Sequence, residues 1–455
     1  MSVEERFLDA LSYEDEEEGK VPMDSSWRRR QQQRLQRKNQ AAITEFLGEG
    51  RRTNAVGILP RYYGKLLTWA LHQYLKRDGW KIVATLGYQA HEALYIDVTT
   101  SDGSCENLLM DGQMFIEKGN ARLIVTVDVN PRRQGSVKVD GPIDREDEVK
   151  VFVSGVMTIA REENFYWGKK IEFAGWIRFL NIGDKSWGTI TLDAATKAEI
   201  KANTIGFLKR SEQWCRYGIP LKRGIMLAGE PGTGKTVICK ALMSEAEGIT
   251  CITTNGYALD ADDYITELYE LAEDLSPSIV FIEDIDLIGQ NRLEFGYHSG
   301  SALVSLLAVL DGVEQHKEIV TVATTNCLET LDRALSQRPS RFDRVIKLSR
   351  PSIEQRRELI GRLCQKIPLD ENTQEYIARK AENCTPAHLQ EIVYSLVIQC
   401  PAPESGLTFD KSDIDRAISR INDKNLRHIG FGTENNHNGN REDLSSTIRL
   451  AWEER

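Results

Sequence analysis

The sequence predicts an α/β protein in which a parallel sheet and a small helical lid follow a β-rich α+β domain. First, helices alternate with short apolar strands from about residue 183 onward, and each crossover between parallel strands requires a long connection, usually a helix. Second, the preceding residues alternate between apolar and polar and contain many β-branched side chains, which predicts mostly antiparallel strands. Third, amphipathic helical segments follow one another after residue 350.

These patterns divide the chain into predicted domains. In the β-rich domain they predict a helix over 64–79 and strand-like runs at 93–100, 121–130 and 149–161. In the lid they predict helices over 353–367, 374–382 and 386–399. The predicted boundaries are 1–60 for a charged N-terminal arm, 61–185 for the β-rich domain, 186–348 for the α/β domain, 349–427 for the helical lid, and 428–455 for a linker with a C-terminal helix.

The composition is that of a globular protein with an acidic balance. Hydrophobic residues make up 41% of the chain, charged residues make up 28%, and the formal net charge is -10. This charge argues against duplex nucleic acid as the main partner, because contacts to phosphates need a surplus of Lys and Arg on one face. The acidic block 14–18 and the basic block 28–38 are both typical of solvated arms or helix faces, and a docking peptide or a polyanion contact stays open for both.

The spacing of the cysteines and the shortness of the apolar runs indicate the cellular compartment of the protein. The chain contains 8 cysteines but no C-x-x-C pair and no histidine spacing of a zinc site, which predicts free thiols in a reducing environment. No apolar run approaches the ~18 residues of a membrane helix, and the N-terminus is acidic where a signal peptide is basic. We therefore expect a cytoplasmic protein without a membrane span.

The stretch 229-GEPGTGKT-236 fits the phosphate-loop pattern G-x-x-x-x-G-K-[ST], between an apolar strand and a helical run. Its glycines allow successive backbone N–H groups to point inward at a helix N-terminus and to bind phosphate oxygens. Lys235 adds a positive charge for the same oxygens, and the Thr236 hydroxyl suits Mg²⁺. The loop therefore predicts binding of ATP or GTP with Mg²⁺, through Gly229, Glu230, Pro231, Gly232, Thr233, Gly234, Lys235, Thr236 and Val237.

Three acidic residues, Glu283, Asp284 and Asp286, follow the apolar run 278–282. This run predicts a buried parallel strand, and ligands of open α/β sheets bind at the carboxyl ends of the strands. One carboxylate there can hold Mg²⁺, and a second can deprotonate the water that attacks the γ-phosphate. Adjacent side chains of a strand diverge, which suits two different roles. For Asp286 we expect only that it caps or orients the following segment.

The phosphate loop, the acidic strand end, 320-VTVATTN-326 and 331-LDRALSQRPSRFDR-344 together resemble the AAA subgroup of AAA+ ATPases, over about residues 190–421. Segments 206–236 and 310–315 are most similar to the mitochondrial AAA chaperones that translocate the Rieske iron-sulfur protein. The family usually has Asp-Glu at the strand end, whereas this chain has the inverted order Glu283-Asp284, as that branch does. The resemblance implies Glu283 as the acid associated with Mg²⁺ and Asp284 as the catalytic base.

The resemblance also implies roles for residues beyond the acids. It implies that Asn326 is a sensor, whose amide can bond both the attacking water and a γ-phosphate oxygen. It implies that Arg338 and Arg341 reach the ATP of a neighbouring subunit, so that the partners include other copies of this chain, in a hexameric ring.

Some family positions stay open in this sequence. The aromatic loop of the ring pore corresponds to 254–268, where Tyr257 is preferred and Tyr264 is the alternative, and a core tyrosine is equally compatible with the pattern. The lid lacks a second sensor arginine. His388 lies either near the nucleotide or on a helix face.

The predicted function is an ATP-hydrolysing ring motor that remodels, unfolds or translocates a protein client. The Rieske chaperones carry a membrane helix that is absent from this sequence, so their membrane role is not transferred. The zinc-protease motif H-E-x-x-H is absent as well, since 91-HEALY-95 lacks the second histidine. The alternatives are a nucleotide-switched regulator or scaffold for a separate protease or nuclease, and a nucleic-acid-dependent ATPase supported only by the basic block.

Overall fold

The structure is a computed structural model, and the fold is described for the residues that it defines. These residues are 39–87, 92–130, 133–183, 185–260, 264–288, 306, 308–310, 317–328, 342–367, 369–399, 407 and 409–422. Most of the predicted N-terminal arm and all of the predicted C-terminal segment 428–455 lie outside them. Among the described helices, none combines the length and the apolar character needed to cross a bilayer.

The N-terminal part is built on an antiparallel sheet, as predicted. Its six described strands are β1 (Arg52–Leu59), β2 (Lys81–Leu86), β3 (Leu94–Thr99), β4 (Cys105–Lys118), β5 (Ala121–Asp128) and β6 (Gly135–Pro142). They lie in the order β1-β6-β5-β4-β2, with β3 paired to β4 off this path. Strand β4 is long enough to pair with β3 through its first half and with β2 through its second half.

Helices cover both faces of this sheet. Helix α1 (residues 39–47) places Phe46 edge-on against Phe115 of β4, with ring centroids 5.3 Å apart. Helices α2 (Gly64–Asp78) and α3 (Glu146–Glu162) pack together on the other face, over a separate core that contains the neighbouring β4 residues Met114 and Ile116. The alternation of side chains along β4 thus supplies both cores.

Residues 149–161, predicted as a strand, form most of helix α3, so that prediction was wrong. The β-branched content of the segment favours a strand, but its buried residues recur at helical spacing. Three acids in the first turn also stabilise a helix N-terminus. The buried residues are Val149, Phe152, Val153, Val156, Ile159 and Ala160.

The second sheet carries the predicted parallel α/β domain. Its described strands are β7 (Lys170–Phe173), β8 (Ile177–Phe179), β9 (Lys222–Ala228), β10 (Thr250–Asn255), β11 (Ser278–Glu283), β12 (Ile319–Thr325) and β13 (Arg344–Lys347). They lie in the order β13-β9-β12-β11-β10-β7-β8, and every pair is parallel except β7 with β8.

Two predicted domain boundaries are corrected by the strand pairing. Strand β1, which was predicted to lie in the arm 1–60, pairs along its whole length with β6. Strands β7 and β8, which were predicted to lie in the β-rich domain, extend the second sheet because β7 pairs with β10. Both pairings join segments far apart in the chain, and a local pattern contains no information about such partners.

The helices of the second sheet precede the lid. They are α4 (Ala194–Asn203), α5 (Ile205–Leu208), α6 (Ser211–Arg216), α7 (Lys235–Glu245) and α8 (Tyr264–Asp274). The lid contains α9 (Ile353–Leu363), α10 (Glu371–Lys380) and α11 (Pro386–Gln399), close to the predicted ranges, and α12 (Lys411–Asn422), which was not predicted. These lid helices bury a core of their own around Ile360, Ile377 and Leu389.

A continuous hydrophobic core joins the two sheets. The ring of Phe173 on β7 lies 5.9 Å from that of Tyr62, next to α2, and 6.0 Å from that of Tyr264 on α8. The guanidinium of Arg61 lies over the Tyr264 ring at 4.7 Å and forms an ion pair with Glu267. The N-terminal sheet is therefore packed directly against the domain that carries the candidate site.

Candidate active site

The predicted site residues meet at one edge of the parallel sheet. Strands β9, β12 and β11 are neighbours and run parallel, so their carboxyl ends lie side by side. The phosphate loop follows β9, and Asn326 follows β12. Glu283 is the last residue of β11, and Asp284 comes directly after it. The topology therefore places the loop, the acids and the asparagine together, as the sequence predicted.

The phosphate loop has the backbone that its glycines were predicted to allow. Gly232 and Gly234 have φ angles of 81° and 97°, in the left-handed region where a side chain is strained. Gly229 is required by space, since a Cβ there would lie 2.7 Å from the backbone oxygen of Leu348. Helix α7 begins at Lys235, in the last two residues of the phosphate-loop motif, so its free N–H groups and its dipole face the loop.

Lys235 lies at the centre of the site. Its side chain is buried, and its Nζ donates to the backbone oxygens of Gly229 at 2.6 Å and Glu230 at 3.1 Å. Nζ also donates to Oδ1 of Asn326 at 2.7 Å. Burial lowers the pKa of Lys235, and the carboxylates of Asp284 and Asp286 oppose that shift. These contacts hold the ammonium group at the sheet edge, beside the loop that binds phosphate in proteins of this pattern.

The residues predicted to hold Mg²⁺ fit such an ion. Oγ1 of Thr236 donates to the Glu283 carboxylate at 2.8 Å, which brings a hydroxyl and a carboxylate oxygen together beside the phosphate loop. Oxygen ligands of this kind suit Mg²⁺, which is usually held by one or two protein groups plus substrate phosphates and water. The pair therefore has the right donor set and the right position.

The side chain of Asp284 bonds Asn326, whereas that of Glu283 bonds Thr236. Asp284 has a φ of 50°, a left-handed conformation that Asp tolerates better than most residues. Its backbone N–H donates to Oγ1 of Thr324 at 3.0 Å, and its Oδ1 accepts from Nδ2 of Asn326 at 3.0 Å. The turn thus separates the two adjacent acids, as their predicted roles require.

Asp286 has a definite contact that the sequence did not predict. Its Oδ1 accepts from the backbone N–H of Asn326 at 3.2 Å. Asn326 is therefore held at its backbone by Asp286 and at its amide by Lys235 and Asp284. Asp286 therefore orients Asn326, which follows the neighbouring strand β12. We had expected it to cap or orient the segment that follows Asp286 itself.

A cleft of about 950 Å³ opens from the phosphate loop toward the lid. No sequence motif marks most of its walls, because a loop backbone and apolar side chains can bind a nucleobase without any fixed spacing pattern. One wall comes from the segment before α4 and includes Lys185, Gly188, Thr189, Ile190, Thr191 and Leu192. The other wall comes from α9 and the residues after it and includes Leu359, Arg362, Leu363, Gln365 and Lys366.

The lid also contacts the phosphate loop directly. The backbone N–H of Ala387, at the start of α11, donates to the backbone oxygen of Gly232 at 3.2 Å. A Cβ at Gly232 would lie 2.9 Å from both Ala387 and Thr385, so glycine permits this close approach. His388 and Thr385 bond reciprocally at 3.3 Å, each side chain to the other's backbone N–H. His388 therefore caps α11 in this structure.

Glu230 makes a second contact between the loop and the start of the lid. Its carboxylate accepts from Nε of Arg350 at 2.9 Å and from Nη2 at 3.2 Å. Both side chains are about half exposed, so this pair adds little to the free energy of folding. It occupies the Glu230 side chain, which leaves the loop backbone as the part of Glu230 that can face a phosphate.

Of the remaining predicted residues, the structure describes the two tyrosines but not the two arginines. Arg338 and Arg341 lie outside the described residues, so their predicted reach into a neighbouring subunit stays a prediction. Tyr264 is packed between Arg61 and Phe173. Tyr257 has 66% of its surface exposed. The packing thus favours Tyr257 over Tyr264 as the free aromatic side chain, whereas its place in a pore stays a prediction.

Comparison with known proteins agrees with this site. Residues 225–350 match the model of the ATPase family associated with various cellular activities (AAA). The chain is 34% identical over 244 residues to ATP-dependent zinc metalloprotease FtsH 3 of Sorangium cellulosum, a match that covers 50% of this chain and 40% of that protein. It is 32% identical over 198 residues to ATP-dependent zinc metalloprotease YME1L1 of Rattus norvegicus, covering 42% of this chain and 27% of that protein.

The comparisons apply to the nucleotide-binding part of the chain. The chain spans two fifths or less of the length of these two relatives. The residues that match the family model include the phosphate loop, the acids and Asn326.

Proposed function

We propose that this protein is a Mg²⁺-dependent ATPase that works as a ring motor and remodels, unfolds or translocates a protein client or a partner complex. The observation that carries this proposal is the hydrogen-bonded chain from Lys235 through Asn326 to Asp284, beside the Thr236-Glu283 pair. It joins a phosphate-binding cation, a candidate base and a candidate metal site at one sheet edge.

The phosphate loop would bind the β- and γ-phosphates of ATP through its backbone N–H groups and the N-terminus of α7. Lys235 would donate to the same oxygens, because its Nζ already lies among the loop carbonyls beside Asn326. The segment before α4 and helix α9, which form the two walls of the cleft, would enclose the nucleobase.

Thr236 and Glu283 would hold Mg²⁺ through a hydroxyl and a carboxylate oxygen. Bound there, the ion supplies positive charge that neutralises the phosphate oxygens. Asp284 would accept a proton from the attacking water, and Asn326 would orient that water through its amide. An Asp in place of the usual Glu is one methylene shorter, and the left-handed turn at Asp284 provides a distinct side-chain direction for it.

Arg338 and Arg341 would complete the site of a neighbouring subunit in a homo-oligomeric ring, which we propose to be a hexamer. A guanidinium suits the spread charge of phosphoryl transfer, and such an arginine typically contributes about 10³- to 10⁵-fold in rate. A single subunit would therefore turn over slowly.

The client is proposed to be a protein, engaged by the exposed Tyr257 and recruited through the N-terminal sheet. Relatives named as zinc metalloproteases support a protein client, but protease activity is not proposed because the sequence lacks H-E-x-x-H. Within the AAA family, the Glu283-Asp284 order supports a place near the Rieske-chaperone branch. A cytoplasmic location is also proposed, and the free cysteines among the described residues support a reducing compartment.

The test is affinity capture with Asp284→Asn, which should bind ATP without hydrolysing it and so retain the client. We expect captured protein in the presence of ATP and its loss when the same variant also carries Lys235→Ala. The ATPase activity of the wild-type chain should rise when an unfolded protein is added. Salt-dependent stimulation by DNA would favour the nucleic-acid alternative, and a slow rate unaffected by either polymer would favour a nucleotide switch.

A further inference from the structure

Arg362 connects the two walls of the cleft. It lies in the last turn of α9, and its Nη2 donates to the backbone oxygen of Gly188 on the opposite wall at 2.9 Å. The same guanidinium forms an ion pair with Glu358, one turn earlier on α9. Glu358 thus orients the guanidinium from the lid side, while Gly188 is reached across the cleft.

One nitrogen of the guanidinium, Nη1, is buried and has no hydrogen-bond partner among the described residues. The Oγ1 of Thr191, on the opposite wall of the same cleft, is likewise buried without a partner in the described part of the chain. Buried polar groups without partners are costly, so contacts of a nucleotide with both walls would offset this cost in the arrangement in which Arg362 reaches Gly188.

We propose that Arg362 is a positioning residue that holds α9 against Gly188 and thereby retains the nucleotide. The inference rests on the proposed function, since it requires that a nucleotide occupies the cleft. A ligand shifts a two-state equilibrium only through a difference in its contacts with the two states. Here a nucleotide in the cleft would contact both walls only while the bond between Arg362 and Gly188 joins them, and this provides that difference.

Nucleotide release then requires the bond between Arg362 and Gly188 to break. Loss of the guanidinium should raise the dissociation rate constant of the nucleotide and leave the phosphate site unchanged, because Lys235, Asp284 and Asn326 are held by separate contacts. The Michaelis constant for ATP should therefore rise, and the turnover number should not fall.

The experiment measures release of a fluorescent ADP analogue from the full chain by stopped flow, with unlabelled ADP as competitor. Arg362→Met should release the analogue about ten-fold faster, a factor that corresponds to about 1.4 kcal/mol. Arg362→Lys keeps the charge but not the planar fork, so its release rate should lie between those of Arg362→Met and the wild type. The matched control is Arg357→Met, which removes an arginine of the same helix that pairs with Glu375 inside the lid.

The control should release the analogue at the wild-type rate, with both Met variants keeping the wild-type thermal melting profile. An unchanged rate in Arg362→Met would overturn the inference while leaving the proposed function intact. Equal acceleration by Arg357→Met would also overturn it, because the effect would then be a general loosening of the lid. Absence of nucleotide binding by the wild-type chain would overturn the proposed function and the inference together.

Discussion

Lys235 and Asn326, which are far apart in the chain, are joined by a hydrogen bond of 2.7 Å between Nζ and Oδ1. The same amide donates to Asp284 at 3.0 Å. One asparagine therefore links the cation of the phosphate loop to the candidate base. Because its oxygen and its nitrogen have different partners, the amide has one favourable orientation.

Asn326→Asp should slow turnover strongly while nucleotide binding persists. The new carboxylate would replace the donor to Asp284 with a like charge, which disfavours the ionised base. We expect a loss of about 10²-fold in turnover number, the scale seen when one oriented donor is removed from an active site. The measurement is steady-state ATPase activity beside fluorescent-nucleotide affinity. Turnover close to that of the wild type would contradict the sensor role.

Glu283→Gln and Asp284→Asn should both stop hydrolysis but differ in their response to Mg²⁺. Glu283 bonds Thr236, so its neutral variant should need a higher Mg²⁺ concentration for nucleotide binding. Asp284 bonds Asn326 instead, so its variant should bind the Mg²⁺-nucleotide as the wild type does. Titration of binding against Mg²⁺ checks this difference. If Asp284→Asn were the metal-sensitive variant, the two roles would be reversed.

Asp286→Ala should slow turnover through Asn326. The substitution removes the acceptor for the Asn326 backbone N–H, whereas Asp286→Asn keeps an oxygen acceptor of the same reach. We expect the Ala variant to lose about ten-fold in turnover number, equivalent to about 1.4 kcal/mol, and the Asn variant to recover most of it. Parallel losses in both variants would show that charge, and not the hydrogen bond, is what matters.

Arg338 and Arg341 should act on a neighbouring subunit. The double variant Arg338→Ala with Arg341→Ala and the single variant Lys235→Ala should each be inactive alone. Mixed together, they should regain activity, because a Lys235→Ala subunit still offers arginines to a neighbour with an intact loop. ATPase assays of mixtures at several ratios test this. No recovery in rings shown to contain both subunits would rule out action in trans.

Two helix glycines should respond to alanine in opposite directions. In α3, a Cβ at Gly155 would lie 2.1 Å from the Tyr74 ring, so Gly155→Ala should overpack the contact with α2 and cost about 1–3 kcal/mol. In α9, a Cβ at Gly361 meets nothing within 4 Å, so Gly361→Ala should stabilise by about 0.5–1 kcal/mol. Thermal denaturation of both variants checks the signs. Equal shifts of the melting temperature in the two variants would mean that packing around the added methyl group does not decide the change in stability.

The segments that carry chemistry were predictable because their local patterns follow from what phosphate and metal binding require. Glycines that permit a left-handed backbone, a lysine and a threonine at a helix start, and acids after a buried strand each have a local signature. Asp286 was only partly predictable, because its acceptor role depends on which strand lies next to β11.

Elsewhere, local patterns gave the wrong answer or none. The β-branched residues of 149–161 favour a strand, yet burial on one face against the sheet makes them a helix. Strand β1 was assigned to the arm because nothing within it indicates its partner β6. Gly188 and Arg362 carry no motif, and their contact exists only because the lid folds back over the segment before α4.

The sequence by itself therefore determined the phosphate loop, the acidic strand end and the asparagine, since each is a short segment whose residue types are needed for one local geometry. Only the tertiary structure decided that Asp286 holds Asn326, that Tyr264 is packed while Tyr257 is exposed, and that Arg362 bonds Gly188. These relationships join residues from different strands, helices and domains. Such contacts are selected by the packing of the whole chain, which no single segment specifies.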